Sequence, residues 1–574
     1  MSFTIPLIHK IPIFNRKKSI KPILAQAPSQ AVVAVTSSPV AGKRILIVNA
    51  GSRKKRIVFE EAVRLGLSIT LVHPAARTYA DAYVEERLDS TGKSKAEIMQ
   101  EIEAAHAAQP FAGVITFWED DVEFTAEIAA RLHLIGNSEA TAKIARNKYL
   151  MRATLRAAGV PVPRAEMVET LNQAKLAAAG MTYPLVIKPM KGMDSFCVMK
   201  VENERELEKV FVNVLKYAKY DWTSVVSAAD PSMYVIEEYM SGGEVSAEAL
   251  IQNGQIWIVG IIDKLPMSEP YFIERGDVCP SRYPAEVLQK IKDAAAATIR
   301  AIGMENGIAH VELKVTQEGP KTVEIGARMG GDYICDWMET VYGVNLAREG
   351  ILIALGYPIE MKETAAQIHL RGEYFIPEED ATVKDIVGID EVKHRPGVRH
   401  IYIWAHRGDL LQTPPRGFDT AGWLIVSGQS GEEADKRMAE MRQSVKVLYE
   451  PVAKNKGERS DIIQPFRRQT IGFPTEPEQL TFCQITDLVK AKELWESFTC
   501  LEKYNSPFLN WDWRAAFARG YGDTHLFLTA ENANGETVGL LPLQYVSDRQ
   551  QWEFFGTYWF EENVFFAPDE VVLR

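Results

Sequence analysis

Two short apolar segments that turn back on each other, each carrying one glutamate, constrain this chain most. His310-Val311-Glu312-Leu313-Lys314-Val315 runs into Gln317-Glu318-Gly319-Pro320 and returns as Thr322-Val323-Glu324-Ile325. Successive side chains of a strand point to opposite faces. Val311, Leu313 and Val315 therefore share a face with Val323 and Ile325, and Glu312 and Glu324 share the other. A hairpin centred on Glu318 sets the two glutamates directly opposite. Cross-strand neighbours have Cβ atoms about 4.5–5.5 Å apart, and like charges there are destabilising. A hard divalent cation, Mg²⁺ above all, would answer that repulsion with oxygen ligands. Two solvated glutamates on an exposed hairpin fit the same local pattern. Arg328 follows, ahead of Met329-Gly330-Gly331-Asp332. A guanidinium there suits a phosphate or a developing oxyanion, and equally a salt bridge to Asp332.

Upstream, the pattern is that of alternating strands and helices. Ile45–Val48 ends in Asn49-Ala50-Gly51, a helical stretch runs to Leu65, and Ser68–Val72 is a second strand. Helix 94–107 precedes a third strand, Gly113–Phe117. Such alternation predicts a parallel sheet with crossovers. The first turn lacks GxGxxG, so a dinucleotide site is not supported. From about 145 to 360 the pattern changes to α+β, with strand-rich blocks around 185–200, 233–262 and 307–326. Short strands with glycine and proline turns fill 361–455. The polar, proline-containing stretch 456–475 reads as a linker.

With 574 residues, the chain has room for about three to five domains. Lys and Arg number 65 against 76 Asp and Glu, a formal net charge of −11. That balance argues against nucleic acid as a partner. No run reaches the roughly 18 consecutive apolar residues of a membrane helix. The five cysteines are scattered and form no CxxC, which fits a reducing, cytoplasmic setting and excludes a disulfide framework or zinc ribbon. Residues 1–43 hold no Asp or Glu, and prolines break their apolar stretches; a disordered basic tail fits them better than a targeting segment.

Two lysines and an acidic strand end add further candidates. Lys188 closes the apolar strand Pro184–Ile187, where a buried ammonium needs an anion. Lys191-Gly192-Met193-Asp194-Ser195 could form a loop over phosphates, or a plain hairpin turn. Lys148 stands ahead of the helix Tyr149–Ala158 and by itself is only a helix-start lysine. Tyr234-Val235-Ile236-Glu237-Glu238-Tyr239-Met240 runs into Ser241-Gly242-Gly243-Glu244, which could present backbone groups to a purine edge and a carboxylate to ribose, or be an ordinary strand end.

In this order the pieces resemble the ATP-grasp superfamily over roughly 44–455, and most of all its carboxylate–amine ligases of the L-amino acid ligase and carnosine synthase type. The resemblance implies a preATP-grasp α/β domain over 44–140, two α+β subdomains gripping ATP over 141–360, and a small closing subdomain over 361–455. It implies Lys148, Lys188 and Ser195 on ATP phosphates, the last two in a loop of the form KPxxGxxSxxV. Glu237, Glu238, Met240 and Glu244 would serve adenine and ribose. Glu312 and Glu324 would hold Mg²⁺, with Mn²⁺ as a substitute, and Arg328 would stand by the reacting phosphate. Glu274, in Tyr271-Phe272-Ile273-Glu274-Arg275-Gly276-Asp277, would hold a substrate ammonium. The implied partners are a small-molecule carboxylate and an amine, and a homodimer is compatible. Four positions depart from the pattern: Gly326 and Asp277 where relatives often carry Asn and His, and Asp194 and Cys197 where many carry glycine.

Residues 476–574 have a different, aromatic-rich texture. Thr524–Ala530 and Thr537–Pro542 flank the hairpin turn Asn534-Gly535, and Trp552–Gly556 and Asn563–Ala567 read as further strands. The segment resembles the front half of a GNAT acyltransferase of the Fem-like branch. The acyl-CoA loop (R/Q)xxGxG/A is absent from it, and Gln469-Thr470-Ile471-Gly472 in the linker imitates it only in part. An accessory ATP-grasp part on an acyltransferase is one rival reading of the chain; an ATP-binding regulator without catalysis is another.

Overall fold

The computed structural model describes residues 38–74, 78–192, 195, 197–213, 233–361, 365–414, 417 and 419–452, and the backbone of four strands beyond them. The expected linker 456–475, the turn at Asn534-Gly535, the strand expected at 563–567 and most of the basic tail lie outside the described residues. Of the tail expected over 1–43, the last residues are ordered: Val40 is fully buried in the first core.

The first sheet is parallel, built from β1 (Arg44–Val48), β2 (Ser68–His73), β3 (Glu86–Asp89) and β4 (Gly113–Thr116) in the order β3-β2-β1-β4. The short, half-exposed β3 has no apolar alternation and was not expected from the sequence. All five residues of β1 are buried because both faces of the sheet are covered. Ile45 and Ile47 enter a core with Val58, Phe59, Leu346 and Ile351; Leu46 and Val48 enter another with Ile98, Ile102, Phe124 and Ile128.

A small antiparallel sheet follows, with β5 (Ala165–Val168), β6 (Leu185–Pro189), β7 (Met199–Val201) and β8 (Tyr234–Glu238) in the order β5-β8-β6-β7. The large sheet contains β9 (Gly243–Gln252), β10 (Gln255–Lys264), β11 (Gly276–Cys279), β12 (Gly307–Thr316) and β13 (Gly319–Gly326). It continues through β14 (His369–Phe375), while β15 (Ala381–Val387) pairs elsewhere, and takes in β16 (Val398–Ile403). β17 (Leu410–Leu411) and β19 (Lys446–Pro451) flank β15, and β18 (Gly422–Gly428) completes the large sheet. The eight strands run β13-β12-β9-β10-β11-β14-β18-β16, so hydrogen-bonded sheet crosses the expected boundary near 360. Farther on, Thr481–Ile485, Thr524–Glu531, Thr537–Val546 and Gln551–Phe554 pair antiparallel in chain order.

The β12–β13 hairpin pairs Glu312 with Glu324, but by a different route from the one expected. Its turn is Gln317-Glu318, and the ladder starts at Thr316↔Gly319 and runs to Leu313↔Thr322. That register alone would set Glu312 against Val323. A bulge between Glu312 and Leu313 inserts one residue on β13 and moves Glu324 into place. Val323 therefore does not share the buried face with Val311, as alternation predicted. It lines the open side beside Glu324, and Thr322 takes the buried place, its Oγ1 2.7 Å from that of Thr298.

Candidate active site

The two α+β sheets face each other across a cleft. Lys148, Lys188, Ser195, Glu237, Glu238, Met240, Glu244, Glu274, Glu312, Glu324 and Arg328 all line it. Met193, Asp194 and Phe196 of the expected phosphate loop lie outside the described residues.

Lys148 opens the helix Lys148–Ala157, whose first turn is capped by the Asn147 side chain accepting from Leu150 N at 3.0 Å. The cap directs Lys148 into the cleft. Its Nζ donates to the Gly192 carbonyl at 3.0 Å and lies 3.0 Å from Glu324 Oε1. Lys188 is the penultimate residue of β6, and its Nζ lies 2.5 Å from Glu237 Oε1. On the other side of Glu237, Arg152 donates through Nε at 3.0 Å and through Nη2 at 3.3 Å. The Glu237 side chain is thus engaged beneath Lys188. Burial pulls the Lys188 ammonium down despite Glu237. Burial would raise Glu237, but Arg152 and Lys188 override it and hold the carboxyl low.

Lys264 ends β10, much as Lys188 stands one residue from the end of β6. Its Nζ lies 2.7 Å from Glu274, 2.7 Å from Glu312 and 3.0 Å from Glu244. Lys314 lies 3.3 Å from the second oxygen of Glu244. His310 bridges Glu248 (2.6 Å) and Glu312 (3.3 Å). Burial would lower the imidazole, but Glu248 and then Glu312 outweigh it and raise His310 to about 9. Glu312 stays well below the carboxylate range: burial opposes this, and Lys264 and His310 prevail. The bare repulsion expected between the two glutamates is therefore absent, because Lys264 with His310 serves one and Lys148 the other.

Arg328 does not bridge to Asp332. Its Nε lies 2.5 Å from Glu119 Oε2, on the loop after β4. Arg146 holds Glu119 Oε1 at 2.7 Å and Asp120 at 2.6 Å. Burial would raise Glu119, yet Arg328 and Arg146 lower it to about 2. Asp332 is paired instead with Lys54 and accepts from the Tyr374 hydroxyl. The buried Lys55 donates to the Gly330 carbonyl at 2.7 Å. The first domain thus fixes both ends of the Arg328–Asp332 segment.

Two opposed carboxylates fit Mg²⁺, which takes one or two protein carboxylates and completes its shell with water and phosphate oxygens. Among the described residues no three His, Cys, Asp or Glu converge as a metal cage. Gly326 adds no ligand, and a Cβ there would lie 3.2 Å from Glu119 Oε2 and 3.4 Å from Arg328 Cζ. Sequence reasoning missed Lys264, Arg152, His310 and Glu119. Lys264 alone carried a signal, the apolar strand closing on a lysine that had pointed to Lys188.

Three family models match in succession: an ATP-grasp N-terminal domain over 59–134, an ATP-grasp domain over 181–336, and an L-amino acid ligase C-terminal domain 2 over 373–450. With the fold, these define the class the chain is similar to, the ATP-grasp superfamily. Within that class it is similar to the L-amino acid ligase and carnosine synthase type. The crystal structure of L-amino acid ligase from Bacillus licheniformis superposes with a TM-score of 0.62 at 25% identity, covering 72% of this chain and all of that one. Carnosine synthase 1 of Gallus gallus is 30% identical over 340 residues, 56% of this chain. The chain spans 36% of that protein's length. Alanine–anticapsin ligase of Bacillus subtilis is 26% identical over 270 residues, 45% of this chain and 56% of that protein. No helix among the described residues is long and apolar enough to cross a membrane.

Proposed function

We propose that this chain is an ATP-dependent ligase that joins a carboxylate to an amine, forming a dipeptide-like amide and releasing ADP and phosphate. The observation that carries the reading is one cleft holding two phosphate-type lysines, an opposed glutamate pair and a guanidinium. Lys148, Lys188 and Ser195 hold ATP phosphates. Backbone groups of Glu238 and Met240 take the adenine, and Glu244 takes ribose hydroxyls. Glu237 acts through Lys188, as a positioning residue. Glu312 and Glu324 would hold Mg²⁺, which would supply charge neutralisation for the phosphates. Transfer of the γ-phosphoryl group to the carboxylate gives an acyl phosphate. Glu274 holds a substrate ammonium, and Arg328, aimed by Glu119, stabilises the charge that develops when the amine attacks. Residues 361–455 close the site. The strands from 481 onward form a partial GNAT-like module with no chemistry of its own.

The test is a phosphate-release screen over pairs of amino acids and amines. ADP formation that needs Mg²⁺ and both partners is expected, with Glu312→Gln and Glu324→Gln each abolishing it. Release from no pair would defeat the ligase reading, and wild-type rates in both variants would defeat the metal assignment.

A further inference from the structure

Asp277 occupies β11 and lines the cleft beside Glu274. It pairs in register with Lys264 on one side and Gly372 on the other, and Gly372 brings no side chain that could meet it. The charged and titratable groups around it are Glu274, Lys264, Asp332, His310 and Tyr374. Each of these has a partner. Glu274 takes Lys264, His310 takes Glu248 and Glu312, and Asp332 takes Lys54 and Tyr374. Among the described residues the Asp277 side chain makes neither a hydrogen bond nor an ion pair. Lys264 cannot serve it, because that ammonium already meets Glu244, Glu274 and Glu312.

Asp277 is half-buried in the cleft wall, and its carboxylate, which has no donor from the chain, is open to a cationic group of a ligand. Burial first, then Glu274, raises its proton affinity well above the aspartate range. The substrate end of the cleft thus has one more carboxylate than the chain's own cations satisfy. Glu274 and Asp277 are three residues apart, at most about 10 Å along the chain, a span that one small molecule with two positive groups can bridge.

We infer that Asp277 is a specificity residue that receives a second cationic group of the substrate. The amino acid bound at this end is then a dibasic one, its α-ammonium on Glu274 and its side-chain ammonium or guanidinium on Asp277. This rests on the ligase reading, in which Glu274 holds the α-ammonium.

Binding without turnover tests it. Calorimetry with MgADP present compares L-ornithine with L-norvaline, which lacks only the side-chain amine. The wild type should bind ornithine about tenfold or more tightly, the scale of a desolvated charge pair. In Asp277→Asn that ratio should fall towards one through loss of ornithine affinity, and Asp277→Glu should restore part of it. Equal affinities in the wild type, or an unchanged ratio in Asp277→Asn, would overturn the inference. If neutral amino acids still support ADP release in that case, the ligase reading stands and only the role of Asp277 falls.

Discussion

Replacing Glu237 by Gln keeps the side-chain shape and removes the carboxylate that faces both Lys188 and Arg152. The three residues are 3%, 4% and 1% exposed, respectively, so water cannot take its place. Removing one partner of a buried ion pair typically costs about 3–5 kcal/mol, because the other charge is left uncompensated. Here two cations lose their anion. Two features limit the damage: Arg152 Nη2 keeps the Val323 carbonyl at 2.7 Å, and the burial that already lowers Lys188 lets it shed its proton. An effect of about 3 kcal/mol, roughly a hundredfold in the opening equilibrium, is therefore expected. A chain of several domains has no single unfolding free energy, so amide exchange in peptides covering 185–189 and 234–238 is the suitable measure. If Lys188 meets ATP phosphates, MgATP supplies the missing anion, and the gap between variant and wild type should narrow. A loss below about 1 kcal/mol would refute the charge-balanced triad. A full loss that MgATP leaves unchanged would refute the contact between Lys188 and phosphate.

Two further outcomes are expected. Burial first, then Arg87, lowers the His73 imidazole to about 4 from its ordinary 6.5. Its contribution to stability is present above pH 6.5 and lost as the pH falls through 4, on the order of 3 kcal/mol in all. His73→Gln should flatten that part of the acid side of the stability profile, and an unchanged slope in acid titrations would reject the assignment. A chain ended at residue 460 should keep amino-acid-dependent ADP release, since the candidate ATP, metal and substrate residues all precede 330. Such a chain that is folded by circular dichroism and binds ATP, yet makes no product, would place part of the site in the segment beyond.

What the chain reveals without its structure is what neighbours along it dictate. A short apolar run that ends in a turn exposes β1, period-two alternation exposes β12 and β13, and the cost of a charge at the end of an apolar strand exposes Lys188. The same arithmetic brings Glu312 and Glu324 together, although it reaches their pairing through a turn one residue longer than the real one, and the bulge at Val323 supplies the difference. Side-chain partners follow another rule. Arg152 meets Glu237 from 85 residues away, Lys148 meets Glu324 from 176, and Lys54 meets Asp332 from 278. Arg328 had a neighbouring carboxylate in Asp332 and is held by Glu119 of another domain instead. The Asp277 side chain, by contrast, receives no partner among the described residues. Local sequence determined which groups stand at strand ends and, short of the bulge at Val323, on which face. Packing of distant segments decided which charges meet, because burial sets the strength of an ion pair and burial is a property of the whole fold.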